Sequence, residues 1–105
     1  MIQLTEEVRA GWCVVAARGR ADSNSADDLE AALCRAVEQN AKVAADFAAL
    51  DYISSAGLRA VLQAARAAQE HHREFAVCGL SDSVKKVFNM SGMHHVLMIH
   101  GELPC

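Results

Sequence analysis

The chain of 105 residues has few aromatic side chains and no dense cluster of basic ones. Aromatic residues make up 5% of it, whereas hydrophobic residues, many of them alanine, make up 52%. We therefore expect an aliphatic core with four large fillers: Trp12, Phe47, Phe75 and Phe88. The net charge is -3, and Lys85-Lys86 is the one adjacent basic pair. A nucleic-acid partner is not expected, because phosphate binding requires clustered positive charge.

Signals for export, disulfide bonding and membrane insertion are also missing. The four cysteines form no C-x-x-C pair, and Cys13 and Cys78 lie in apolar runs, where cysteine behaves as a small hydrophobic residue. The amino terminus has neither the basic start nor the apolar stretch of a signal peptide. No apolar run approaches the roughly 20 residues that a membrane helix needs. These absences predict a reduced, cytoplasmic protein without direct membrane insertion.

Short apolar runs alternate with amphipathic segments along the chain. The runs typical of strands occupy residues 2–5, 12–17, 42–47, 75–78 and 96–99. Helical spacing of apolar residues predicts three helices, which begin at a capping-box pattern of Ser25 and Asp28, at the serine pair before Leu58, and at Ser81. Residues 48–53 are predicted to be a connection.

The element order is therefore β-β-α-β-α-β-α-β. Helical crossovers between strands predict a mostly parallel sheet, with antiparallel pairing at the opening hairpin. We expect a single α/β domain over residues 1–105, with a mixed sheet of about five strands and helices packed against it.

The serine pair Ser54-Ser55 stands where a loop enters the second helix. The simplest interpretation is that one serine is a helix N-cap, which contributes about 1 kcal/mol. A second interpretation is that a serine at this exposed edge is a phosphorylation site. Its phosphate would lie at the positive end of the helix dipole, so the helix would tolerate it and any effect would arise at a partner's surface.

Three segments carry a resemblance to a known family. Residues 53–58, Ile-Ser-Ser-Ala-Gly-Leu, resemble the signature of the STAS family, the sulfate transporter and anti-sigma factor antagonist domains. Residues 18–22 resemble the family's G-x-[apolar]-D, and residues 83–93 are similar to its V-K-[RK]-[apolar]-F-x-[apolar]-S-G-[apolar] segment. The three matches occur in order along essentially the whole chain. They are most similar to the free-standing anti-sigma factor antagonists.

The resemblance implies a partner-switching function without catalysis or a cofactor. In such a cascade the unphosphorylated antagonist binds an anti-sigma factor that is also a GHKL-type serine kinase, and the target of that factor is released. The kinase then phosphorylates the antagonist and binding is lost. A PPM-type serine phosphatase restores the binding form.

The resemblance also assigns site residues. It implies that Ser55 is the phosphorylation site, with Ser54 as the second choice, and that Asp22 is the acidic residue on the same edge. Many members have aspartate before the acceptor and serine after it, where this chain has Ser54 and Ala56. The implied partner-binding residues are Asp22, Ser23, Ser54, Ser55, Ala56, Gly57, Leu58 and Arg59.

Enzyme and metal functions are not expected. The G-x-S-x-G pattern of a serine hydrolase is absent around Ser55, and no glycine-rich phosphate loop occurs. The histidine pairs at 71–72 and 94–95 lack a ligand at helical metal-site spacing. The terminal Cys105 does not satisfy a prenylation box.

Two alternatives within the same family stay open. The chain is either the switch described above or a STAS subunit that docks structurally in a membrane-associated transport complex. A variant of the first keeps the switch but gives it control of secretion or motility machinery rather than of a sigma factor.

Overall fold

The computed structural model describes residues 2–90 and 98–100, which form five strands and three helices. The elements in chain order are β1 (Ile2–Arg9), β2 (Trp12–Ala21), α1 (Ala26–Gln39), β3 (Lys42–Ile53), α2 (Ser55–Glu70), β4 (Glu74–Cys78), α3 (Asp82–Met90) and β5 (Met98–His100). This order confirms the predicted alternation and the α/β fold class.

The five strands lie side by side in the order in which they occur in the chain. β1 and β2 are antiparallel, and the three following pairs are parallel. Ala10 and Gly11 form the two-residue hairpin loop, with φ of 52° and 86°. Two positive φ values are typical of the type I′ turn, which matches the twist of an antiparallel pair. The predicted mixed, mostly parallel sheet is confirmed.

The apolar runs of the central strands β2, β3 and β4 are buried on both faces of the sheet, which explains why they are continuous. Val43, Ala45 and Phe47 of β3 belong to the large core that contains the buried residues of all three helices. Ala44 points to the opposite face, where it forms a smaller buried cluster with Trp12 and three other residues. The alternation along β3 therefore divides its side chains between two apolar layers.

The few aromatic side chains fill the core as expected. Trp12, Phe47, Phe75 and Phe88 are all buried. The rings of Phe47 and Phe88 meet with centroids 6.4 Å apart and planes tilted by 48°, within the range of favourable aromatic pairs. This contact joins α3 to β3. Removing either fully buried ring would cost about 3–5 kcal/mol.

The first three strands end later than predicted. β2 runs to Ala21 rather than to residue 17, and residues 48–53 are not a connection but the second half of β3. The start of α2 at Ser55 agrees with the expected start at the serine pair. The register of β3 against β2 shifts twice, between Ala16 and Arg18 and between Gly19 and Arg20 of β2. Each shift inserts an extra β3 residue and removes the regular alternation by which strands are recognised. β1 likewise runs to Arg9, through polar residues that an exposed edge strand accepts.

The carboxyl-terminal part is described over Met98–His100, which is a strand. Residues 91–97 and 101–105, with His94-His95, Cys105 and part of the third family-like segment, lie outside the described residues. Within the part of the chain that is described, no helix is long and apolar enough to cross a membrane.

Candidate functional site

The serine pair and the segment around Asp22 meet at one edge of the sheet. Asp22 follows β2 and Ser54 follows β3, and Ala21 and Ile53 are the last residues paired between these parallel strands. The Ser54 N–H donates to the carbonyl oxygen of Ala21 at 2.8 Å. Parallel pairing thus brings together two segments that are separated by more than thirty residues in the sequence.

Gly57 allows the first turn of α2 to lie directly against the end of β2. A Cβ atom at this position would be 2.8 Å from the Ala21 carbonyl oxygen and 2.8 Å from Cγ1 of Ile53. Both distances are too short for real carbon contacts, and one involves backbone that cannot rotate away. The glycine is therefore required here for a close approach of backbone to backbone.

Ser54 is the N-cap of α2. It has extended backbone angles, with φ of -93° and ψ of 176°. Its hydroxyl oxygen accepts from the Gly57 N–H at 3.3 Å, and its carbonyl accepts from the Leu58 N–H at 2.9 Å. This pattern satisfies donors of the first turn that would otherwise lack partners. The half-buried Ser54 hydroxyl thus has a structural role.

Ser55 is the first residue of α2 and its side chain is exposed. Its hydroxyl has no hydrogen-bond partner among residues 2–90 and 98–100. The first turn of α2 carries no acidic residue, and the exposed Arg59 lies one turn further along. Residues four apart lie on the same face of a helix. The hydroxyl is therefore open to solvent beside helix N–H groups and a cation.

The segment around Asp22 is held by Ser25, which is 4% exposed. The Ser25 hydroxyl donates to the Arg20 carbonyl at 2.8 Å and accepts from the Asp22 N–H at 3.0 Å. It makes no hydrogen bond to the first turn of α1. The predicted capping box of Ser25 and Asp28 is therefore wrong, because the Ser25 hydroxyl bonds to the turn that follows β2 and not to α1.

The Asp22 carboxylate is stabilised in its charged form. Its Oδ1 accepts from the Asn24 N–H at 3.0 Å, with a longer contact from the Ser25 hydroxyl at 3.3 Å. The Asn24 bond is the largest cause, and together these donors hold the pKa of Asp22 below its usual value despite some desolvation. The site therefore presents a fixed negative charge at neutral pH.

Two residues of this edge, Arg20 and Tyr52, were not predicted as site residues from the sequence. The guanidinium carbon of Arg20 lies 4.4 Å from the centre of the Tyr52 ring, a cation–π contact between neighbouring strands. Tyr52 remains 41% exposed, which is unusual for a large side chain here. The pairing of Arg20 with Tyr52 depends on the β3 register shift, so no local pattern could have revealed it.

The other predicted site residues lie around the same edge at different depths. Ser23 and Arg59 are exposed, and Ala56 is half-buried. Gly57 and Leu58 are buried beneath them, Leu58 with 9% exposure. The contribution of all five residues to partner binding stays a prediction.

Metal-ligating side chains are not grouped at this edge or elsewhere in the described ranges. Over residues 2–90 and 98–100, no three His, Cys, Asp or Glu side chains converge. His71 and His72 are exposed at the carboxyl end of α2.

Comparison with known proteins gives the family. The family model described as "Mlab, STAS domain" matches residues 5–100. The chain belongs to the STAS family. The resemblance seen in the sequence is thereby confirmed. BtrV of Bordetella bronchiseptica, a protein named as an anti-sigma factor antagonist, is 37% identical over 92 residues, which are 87% of this STAS chain and 79% of BtrV.

Solved structures share the STAS fold. An anti-sigma factor antagonist from Mycobacterium paratuberculosis is 21% identical with a TM-score of 0.85, over 98% of this chain and 88% of that one. SpoIIAA in its unphosphorylated form is 25% identical with a TM-score of 0.75, over 97% and 90%. Bacillus SpoIIAA in its phosphorylated form is 23% identical with a TM-score of 0.70, over 97% and 93%.

Proposed function

We propose that this STAS domain is an anti-sigma factor antagonist whose binding is switched off by phosphorylation of Ser55. The observation that carries the proposal is the difference in hydrogen bonding between the two serines. Ser54 caps the helix, whereas the neighbouring Ser55 hydroxyl is exposed and has no partner among the described residues. Similarity to BtrV and to SpoIIAA, which exists in a phosphorylated form, supports the same function.

The geometry favours Ser55 over Ser54 as the acceptor. Phosphorylation of Ser54 would require its half-buried hydroxyl to leave the Gly57 N–H, and the loss of such a cap costs about 1 kcal/mol. Ser55 has no such bond to lose within the described part of the chain. A kinase can therefore reach the second serine without disturbing the start of α2.

The phosphate on Ser55 would leave the domain folded. It would add a charge of about -1.5 to -2 at a helix amino terminus, where negative charge is stabilised. Arg59, on the next turn, would lie within reach of the phosphate oxygens. The effect of the modification would then arise at the partner, through charge repulsion and bulk at an interface that fits a neutral hydroxyl.

The partner that this function requires is an anti-sigma factor that is also a GHKL-type serine kinase, and a PPM-type phosphatase would restore binding. The antagonist itself catalyses nothing and needs no cofactor. Asp22, Ser23, Ala56 and Arg59 would surround the acceptor at the contact surface, and Gly57 and Leu58 would support it from below.

The test is incubation of the purified chain with ATP and each GHKL-type serine kinase of its source genome, followed by site mapping with mass spectrometry. We expect one phosphate on Ser55, none on Ser55→Ala, and normal modification of Ser54→Ala. Ser55→Ala should bind the kinase constitutively and Ser55→Glu weakly. Equal binding of these two variants, with wild type unmodified, would exclude the proposal.

Co-purification with transporter subunits in place of a soluble kinase would instead support the structural docking subunit. Association of the modifying kinase with secretion or motility proteins would keep the switch and change only its output.

A further inference from the structure

A small crevice, lined in part by the residues that precede the serine pair, is not used by the proposed switch. It has a volume of about 90 Å³ and is lined by Asp51, Tyr52, Ile53, Ser83, Val84 and Val87. It lies between the end of β3 and the start of α3. Small-molecule sites usually enclose about 300–1,000 Å³, so this crevice is too small for a nucleotide but has room for one side chain.

The rim of the crevice is preorganised. Asp51 has no partner in the register between β2 and β3, so it is the extra residue of a bulge. The bulge places Tyr52 next to Arg20 across the strand pair, where the guanidinium lies 4.4 Å from the ring centre. An exposed aromatic ring that is already held in place loses little entropy on binding. Tyrosine and arginine are also enriched among the residues that dominate interface energies.

The position of the crevice favours the modifying kinase as the protein that covers it. Three of its lining residues, Asp51 to Ile53, directly precede the serine pair, and Ser55 is only three residues after Tyr52. A protein kinase must bring its active site into contact with the Ser55 hydroxyl. We therefore expect the kinase surface around that active site to extend over Tyr52 and the crevice.

We propose that Tyr52, stacked on Arg20, and the crevice beside it are a docking subsite for the serine kinase that modifies Ser55. The kinase inserts one apolar side chain against Ile53, Val84 and Val87. It also places a carboxylate near Arg20, since no carboxylate in the described ranges forms an ion pair with that guanidinium. The inference rests on the proposed function and specifies how the partner recognises the acceptor.

A docking subsite and the acceptor itself have separable kinetic signatures. Contacts made equally in the bound complex and in the transition state change KM and leave kcat in place, whereas loss of the hydroxyl abolishes the reaction. The inference therefore predicts that changes at the crevice raise KM for this chain as a kinase substrate, with little change in kcat.

The experiment measures steady-state phosphorylation of the whole chain by the purified GHKL-type kinase found to modify Ser55. Tyr52→Ala is expected to raise KM about tenfold or more, the usual effect of truncating an interface anchor. Tyr52→Phe, which restores the ring, should recover most of that loss. Arg20→Gln should raise KM by a smaller factor. Val8→Ala, at a side chain 77% exposed on the edge strand β1, is the control.

A second variant fills the crevice and leaves Tyr52 and Arg20 in place. Ser83 is exposed on the first turn of α3, so Ser83→Phe should block the crevice and raise KM to a similar extent. Thermal unfolding of each variant verifies that the domain is folded.

The outcomes are distinct. Phosphorylation of wild type with unchanged KM in Tyr52→Ala and Ser83→Phe would overturn the docking subsite and leave the proposed switch intact. A wild-type chain that no kinase modifies would overturn both. A selective rise in KM in these two variants, with recovery in Tyr52→Phe, supports the subsite.

Discussion

The two helices that leave adjacent parallel strands begin in contrasting ways. At α1 the N-cap serine, Ser25, is buried, and its hydroxyl turns back to the end of β2. At α2 the capping hydroxyl of Ser54 points forward to the Gly57 N–H, and Ser55 is left exposed beside it. Both starts look similar in the sequence, since each joins a loop to an amphipathic helix through serine.

The difference follows from which backbone groups lack partners at each start. The turn after β2 leaves the Arg20 carbonyl and the Asp22 N–H to be satisfied, and Ser25 binds both. The end of β3 leaves no such need, because the Ser54 N–H already donates to Ala21. A hydroxyl is available for chemistry only where the local backbone does not require it. This contrast predicts four graded effects.

The largest effect is expected at Gly57, which allows α2 to lie against the end of β2. Gly57→Val should lower the free energy of unfolding by about 3 kcal/mol or more, because its Cβ would be too close to the Ala21 carbonyl oxygen. Urea denaturation measures the change. Ala56→Val, at the half-buried neighbour, is the matched control and should cost much less. Equal losses would mean that the close approach is not what the glycine provides.

Ser25 should show the next largest effect. Ser25→Ala leaves the Arg20 carbonyl and the Asp22 N–H without their partner, at a cost of about 1–3 kcal/mol. The exposed neighbour Asn24 provides a control, since Asn24→Ala should change stability by less than about 0.5 kcal/mol. Chemical denaturation of both variants measures the two changes in the free energy of unfolding. A neutral Ser25→Ala would remove the distinction between the two helix starts.

The two serines should contribute unequally to the free energy of unfolding. Ser54→Ala should cost about 1 kcal/mol through the lost cap, and Ser55→Ala should stay within about 0.5 kcal/mol of wild type. Thermal unfolding under identical conditions compares them. The reverse order would assign the cap to Ser55 and make Ser54 the free hydroxyl.

The smallest effect concerns the loss of stability at acidic pH. The Asn24 N–H, with help from Ser25, keeps the pKa of Asp22 below its ordinary value in the folded state. A depressed folded pKa contributes stability above the unfolded pKa, which is lost as the pH falls through the folded value. Asp22→Asn should therefore flatten the loss of stability below about pH 4, near the usual aspartate pKa. The free energy of unfolding is measured against pH for both chains, and identical curves for variant and wild type would refute this.

Much of the fold could be predicted, because buried strands and amphipathic helices have characteristic hydrophobic periods. The element order and the opening hairpin came from such patterns. The second half of β3 did not, since two bulges break its alternation and leave Asp51 and Tyr52 exposed. A bulge depends on the neighbouring strand, so the strand's own sequence does not reveal it.

The site was predicted by a different kind of signal. Resemblance to the STAS signature located the serine pair, and the local sequence permitted a cap without deciding which serine provides it. The error at Ser25 had the same origin, because a hydroxyl has several possible partners and the sequence does not rank them. The Arg20–Tyr52 contact was missed because it arises from register between two strands.

The hydrogen bond from the Ser54 N–H to the Ala21 carbonyl has a consequence for timing. It already joins the two segments of this edge in the free chain, so the partner binding that we propose would require no slow closure of either loop. In the switch that we propose, the rates of the kinase and the phosphatase would therefore set the response, and no rearrangement of the domain would slow it.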